Sequence, residues 1–296
     1  MTKSLVGGVF TFLLLVSTAD AATVRSAVGA DAPAIQATVD QFRADLGAPN
    51  ANGPCGGSCT PGIGRREVNW DGVPDNLSDP NVFPNDFFNQ PTAQPAGRVR
   101  GIQFSSAGTF RTSADNDSNG DTIPGPRAIL FEDLGAGNGA DFAAFSAERI
   151  FGIVGSNQMD VTFSHPGAPL VPAAVKGFGA VFTDVEVANA VLLDFYDVND
   201  VLIHSEAAQA FPFVGGDSGK SFSFVGVSFD SPIVKRVHIT NGGFDLTLAT
   251  FPVNGQTIDD SAAMDDFIYG EPLPVPEPTS GIAALLAGAV ICLWRR

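Results

Sequence analysis

The sequence predicts a mainly β protein: an antiparallel sandwich with one N-terminal helix and a C-terminal transmembrane helix. Three observations carry this. From residue 99 onward, short apolar or alternating runs are separated by Gly, Pro, Asn and Asp clusters at close, fairly regular spacing, which is the pattern of an antiparallel sandwich rather than of βαβ units. Gly (33) and Pro (21) are both enriched, which favours turns and excludes a coiled coil or long-helix protein. A hydrophobic fraction of 44% with 24 Phe supplies enough material for a packed core.

The elements follow in order. Lys3, the apolar stretch 5–16 and Ala19-Asp20-Ala21 read as a cleaved signal peptide, residues 1–21, too short to span a bilayer comfortably. Residues 22–97 hold a helix and an irregular segment. In the helix, Ile35, Val39, Phe42 and Leu46 recur at spacings of 4, 3 and 4 and make one apolar stripe. Asp31 caps its start, Pro33 fits its first turn, and Gly47 followed by Pro49 stops it. From Pro49 to Gly97 periodicity is lost, and the most distinctive patch is Arg65-Arg66-Glu67-Val68-Asn69-Trp70-Asp71-Gly72.

Residues 98–270 read as the sandwich. Its candidate strands are 99–104, 127–131, 149–153, 159–164, 175–187, 190–197, 201–204, 221–229, 233–240, 244–249 and 264–269. Alternation is clearest in Ser221-Phe222-Ser223-Phe224-Val225-Gly226-Val227, and Asn199-Asp200 reads as a hairpin turn. Residues 271–279 form a proline-stiffened linker containing Pro276-Glu277-Pro278. Residues 280–296 form an apolar helix closed by Arg295-Arg296, and these two arginines keep the C-terminus cytoplasmic and everything upstream outside.

Charge narrows the partners. With 16 Lys+Arg against 32 Asp+Glu, the formal net charge of -16 argues against nucleic acid and against docking on anionic lipid. Of the three cysteines, Cys292 belongs to the tail helix, leaving Cys55 and Cys59. The intervening Gly-Gly-Ser allows a small disulfide ring in an oxidising compartment. A redox motif needs two intervening residues, not three, and no further zinc ligands lie nearby.

Two resemblances add to this reading. Val275-Pro276-Glu277-Pro278-Thr279, then the apolar helix, then Arg295-Arg296, resemble the PEP-CTERM sorting domain, over residues 275–296. The resemblance implies processing by an exosortase in a Gram-negative bacterium that makes exopolysaccharide, with the protein ending as a surface or biofilm-matrix component. In the body, 177–185, 193–197, 224–229 and 264–270, with the upstream patch 66–72, resemble the jelly-roll modules of exported bacterial proteins over residues 65–270. That likeness implies a jelly-roll-like fold and very little chemistry.

Two short strings resemble catalytic motifs but lack what the chemistry requires. Gly216-Asp217-Ser218-Gly219 copies the string around a serine nucleophile, but a triad needs a histidine base held by a carboxylate. His204 and His238 sit in mid-strand, and neither they nor His165 has suitable flanks, so a glycine-rich turn is expected. The run 215–221 fails as a phosphate loop because Val214 stands where glycine belongs. Asn76-Leu77-Ser78 and Asn116-Asp117-Ser118 match the glycosylation triplet by chance.

The best ligand candidate is Asp115, Asp117, Asn119 and Asp121, whose alternate oxygens with Gly120 match the opening of a calcium loop. Pro126 stands where the bidentate Glu belongs, so the competing reading is a solvated acidic turn. Asp265-Asp266 is a weaker pair, since a strand sends neighbours to opposite faces. Trp70, Tyr196 and Tyr269 are few for a sugar-stacking platform.

The expected protein is an exported, exosortase-sorted, non-enzymatic surface or exopolysaccharide-matrix component. It is held at the inner membrane by its C-terminal helix before processing and is then at the cell surface or extracellular. It requires no cofactor, calcium being the one candidate. The alternative is a carbohydrate-binding module for cell-surface polysaccharide. A polysaccharide hydrolase stands third, because no catalytic base, nucleophile or metal cluster emerges.

Overall fold

The computed structural model describes residues 20–50, 63–91, 96–114, 130–134, 138–211, 220–247 and 260–275. In chain order, the first half contains β1 (Thr23–Gly29), α1 (Ala32–Leu46), β2 (Arg65–Val68), β3 (Ile102–Ser105), β4 (Thr109–Thr112), the short α2 (Asn138–Asp141) and β5 (Phe151–Val154). The second half contains β6 (Gln158–His165), β7 (Ala168–Ala174), β8 (Gly177–Thr183), β9 (Val191–Tyr196) and β10 (Leu202–Ala207). It ends with β11 (Phe222–Ser228), β12 (Arg236–Asn241), β13 (Ala263–Gly270) and β14 (Leu273–Pro274).

The strands form two antiparallel sheets. One runs β1-β11-β8-β13-β5-β4, with β2 on the free half of the β13 edge; the other runs β10-β9-β12-β6-β7-β14, with β3 on β6. The chain is therefore a mainly β sandwich with one substantial helix. Strand alternation sends Phe178, Ala180 and Phe182 of β8 and Val225 and Val227 of β11 into the space between the sheets. There they meet Leu193 and Phe195 of β9, Val237 and Ile239 of β12, and Val161 and Phe163 of β6.

α1 forms where its pattern predicts. Asp31 accepts a hydrogen bond from the Ala34 amide at 3.0 Å, and Gly47 ends the helix at φ 103°. Ile35, Val39, Phe42 and Leu46 are all buried against Val181, Phe222, Phe224 and Ile268 on the outer face of the first sheet. A helix of 15 residues is marginal alone. Burying four large side chains, at about 1.5–3 kcal/mol each, makes docking its main source of stability.

The docking surface is a notch without side chains. Gly179 and Gly226 pair across β8 and β11, and a Cβ on either one would lie 2.8 Å from the Phe42 ring. The glycines let the ring of Phe42 approach the sheet backbone closely.

Several differences from the sequence pattern have physical causes. The predicted 175–187 strand ends at Thr183, because Asp184 turns the chain with φ 65°. Residues 244–247 of the predicted 244–249 strand are a bend and turn, with Asp245 accepting from the Thr247 amide and hydroxyl. At 127–131 only Leu130 and Phe131 are described, and both take positive φ in a turn. β1 and β2 join the first sheet from upstream of residue 98, and β14 joins the second from beyond residue 270. Among the described residues, no helix is long and apolar enough to cross a membrane.

Gly226→Ala is expected to destabilise the fold by about 1–3 kcal/mol through overpacking against Phe42. In a Phe42→Ala background the same methyl should cost much less, a non-additivity that urea unfolding of the four proteins would measure. Equal costs in both backgrounds would show that the notch does not hold the helix.

Candidate functional site

Many of the residues singled out by sequence lie outside the described residues. These are Cys55 and Cys59, the calcium candidates Asp115, Asp117, Asn119 and Asp121, the sorting-motif residues Pro276, Glu277, Pro278, Arg295 and Arg296, and the 212–219 run with Ser218. Signal peptide residues 1–19 and the tail helix do so as well. The three histidines are described: His204 faces Glu206 at 3.1 Å, His238 faces Asp160 at 3.0 Å, and His165 faces the Pro166 carbonyl at 3.1 Å. Among the described residues, no group of three or more His, Cys, Asp or Glu is arranged to hold a metal.

The Asp265-Asp266 pair departs from expectation. Between Met264 and Phe267 the register of β13 against β8 slips by one residue, a β-bulge. Met264 and Phe267 both point into the core, so the two aspartates emerge together on the outer face. They meet at Ser146, whose Oγ donates to Asp266 Oδ1 at 2.8 Å and lies 3.4 Å from Asp265 Oδ1. Asp265 Oδ2 accepts from the amides of Phe145 and Ser146 at 2.6 and 3.2 Å, and its Oδ1 accepts from the Asp266 amide. Asp266 Oδ2 takes Arg43 at 3.0 Å, and Arg43 also bonds Glu67 of β2.

Burial, and then the neighbouring Asp266, push the Asp265 carboxyl well above the usual carboxylate range. Burial raises Asp266 as well, against the pull of Ser146 and Arg43. Asp71, which accepts from the Arg149 amide at 3.1 Å, is raised by burial too. This is a latch. Asp265 is fully buried and its oxygens accept from protein donors, so the pair ties α1, β2, β13 and the 145–146 segment together.

A cavity lies elsewhere, beside Trp70. It measures about 160 Å³ and is lined by Asn69, Trp70, Gly72, Val73, Phe87, Phe88, Gly97, Arg98 and Arg100. Local structure explains each wall. Trp70 turns the chain after β2 at φ 64°, with its carbonyl accepting from the Val73 amide at 2.8 Å. Phe87 and Phe88 sit in a turn fastened by Phe104 N to Asn85 O at 3.0 Å and Arg100 N to Phe88 O at 2.9 Å. Trp70 itself is core: its ring stacks on Phe151 at 3.9 Å and 1°, and it is only 1% exposed, so it is no open platform for a sugar.

The two arginines distinguish this cavity. Arg98 lies 4.3 Å over the Phe87 ring and Arg100 5.2 Å over Phe88. Arg25, Arg43, Arg65, Arg66, Arg111, Arg149 and Arg236 all pair with carboxylates. Arg98 and Arg100 pair with none among the described residues. Their Nε atoms and the Trp70 Nε1 are buried without a hydrogen-bond partner. Burial pushes the Arg100 guanidinium below its ordinary value, with Arg66 also disfavouring its charge and Tyr269 and Glu67 favouring it. Sequence reasoning singled out Trp70 but missed both arginines, because no local signal tells an unpaired arginine from one that finds a distant carboxylate. Comparison with known protein families, curated proteins and solved structures finds no match to this chain.

The buried acids make stability depend on pH in a definite direction. Burial pushes Asp260 up to about 6 from 3.8, against the amides of Val187 and Glu186 that donate to it. Burial raises Asp79 as well, helped by Asp133. An acid raised in this way holds its proton more tightly when folded. Its contribution is complete below pH 3.8 and is lost as pH climbs through the folded value. The urea midpoint should therefore be higher at pH 5 than at pH 8. For Asp260 the change is about 1.4 kcal/mol per pH unit within its window, and Asp260→Asn should flatten that part of the profile. A midpoint that rises between pH 5 and pH 8 would contradict this assignment.

Proposed function

We propose that the chain is an exported, non-catalytic surface or extracellular-matrix protein with a jelly-roll-like body, sorted by an exosortase through residues 275–296. The signal-like start and the ordered Pro276-Glu277-Pro278, apolar helix and Arg295-Arg296 support the destination. The observation that supports a binding role is the lining of the cavity, which offers aromatic walls, an amide and two arginines.

A second reading is favoured by the same cavity: the body is a carbohydrate-binding module for the cell's own exopolysaccharide. Cys55 and Cys59 are proposed to close a disulfide after export. Asp115, Asp117, Asn119 and Asp121 are proposed to hold calcium, which is abundant outside the cell and is bound there at millimolar affinity.

Mass spectrometry of the native protein from the cell surface is expected to find a C-terminus near Pro278, with Arg296 lost. Intact Arg296 on the surface-exposed form would overturn the sorting assignment.

A further inference from the structure

We propose that the cavity beside Trp70 is a binding site for the carboxylate of a single acidic sugar residue, a uronate. The sugar part of the assignment rests on reading the protein as a polysaccharide-associated surface component. The anion part rests on the geometry alone.

Charge points to the site. A chain with a formal net charge of -16 repels an acidic polymer over most of its surface, so it can hold one only where positive charge is locally uncompensated. Acids outnumber bases two to one, yet Arg98 and Arg100 line the same cavity and form no ion pair among the described residues, Glu67 favouring the Arg100 charge only weakly. A buried donor left without an acceptor is costly, and three residues that line this space each carry one: Arg98 at Nε, Arg100 at Nε and Trp70 at Nε1.

Geometry selects the chemistry. Each guanidinium lies over a phenylalanine ring, and the N–H groups of a guanidinium point outward in its plane, in the fork that fits the two oxygens of a carboxylate. Arg100 also donates from Nη1 to the Glu67 carbonyl, which holds the guanidinium in place and leaves Nε uncommitted. Neutral sugars need acceptors as well as donors, because each hydroxyl donates. The four polar side chains of the lining are all donors, and Asn69 alone also carries an acceptor oxygen. At about 160 Å³ the space is similar to a cavity that holds one benzene ring, so it admits the carboxylate end of one sugar residue and not a chain. Phe87, Phe88 and Val73 supply apolar wall for the C–H face of that ring.

Calorimetric titration of the mature full-length body with methyl glucuronide (the free acid), methyl glucoside and inorganic phosphate tests this. Methyl glucuronide is expected to bind, with affinity falling as salt rises, and the neutral glucoside to give no heat. Arg98→Gln is expected to weaken binding at least about tenfold, and Arg98→Lys to restore only part of it, because lysine keeps the charge but loses the fork. Circular dichroism of both variants checks their folding. Should they unfold, the acid-over-neutral preference and salt dependence of the unaltered protein decide the matter.

Equal binding of the glucoside, tighter binding of phosphate than of the glucuronide, or unchanged affinity in folded Arg98→Gln would overturn the proposal. Glucuronide binding by a protein that is not exported would retain the site and overturn the surface role. Export without glucuronide binding would do the reverse.

Discussion

The stacking of Trp70 on Phe151 is the contact on which the rest of this half of the molecule depends. The two rings lie 3.9 Å apart and nearly parallel, with Phe267 of β13 edge-on to the indole at 5.2 Å and Phe83 and Phe88 at its other sides. To reach this position Trp70 takes a left-handed backbone, φ 64°, which is unfavourable for a bulky residue by about 1–2 kcal/mol. Burial of so large an aromatic outweighs that cost. Residues 69–91 pack beside the seated indole, Phe83 and Phe88 among them. This segment is held by Asp79 N to Thr112 O at 2.7 Å and Phe83 N to Phe110 O at 2.9 Å. The cavity follows, because Arg98 and Arg100 stack on Phe87 and Phe88 while the nitrogen edge of the indole remains without a partner.

The opposite face of the first sheet is organised by a different constraint. It must seat a helix and bury carboxylates together. The Gly179–Gly226 notch does the first by admitting Phe42, and the bulge at Asp265-Asp266 does the second by turning both acids toward the donors of Phe145, Ser146 and Arg43. One arginine spans the two, since Arg43 projects from the helix that the notch receives and ends on Asp266. Stability and charge are thereby linked on this face, while the two arginines at the Trp70 cavity form no ion pair among the described residues.

How much of this was legible follows from the range of the interactions. α1 was visible because its cap, stripe and stop lie within one segment. β6, β8, β9, β11, β12 and β13 were visible because apolar alternation is a local signal. β2 was not, since Arg65-Arg66-Glu67-Val68 looks polar until Arg66 meets Glu271, 205 residues away. β1 was hidden next to the signal peptide, and β7 carries Pro172 and a solvent-exposed Leu170, which disguise a strand. The bulge was invisible because it is a register property of two strands, and strand alternation taken alone put Asp265 and Asp266 on opposite faces. For the same reason, that Arg98 and Arg100 form no ion pair among the described residues depends on where the other described carboxylates went, which no window of sequence contains.

Trp70 belongs to the core and lines the cavity proposed to bind an anion. The indole N–H resonance of Trp70, followed by NMR during a glucuronide titration, tests this most directly. The tail's Trp294 is the second tryptophan in the chain and serves as the internal reference when retained. The account predicts a Trp70 signal protected from solvent exchange in the free protein that shifts in step with binding, while its aromatic contacts to Phe151 persist. A rapidly exchanging indole in the free protein, or one that stays fixed while the ligand saturates, would contradict it.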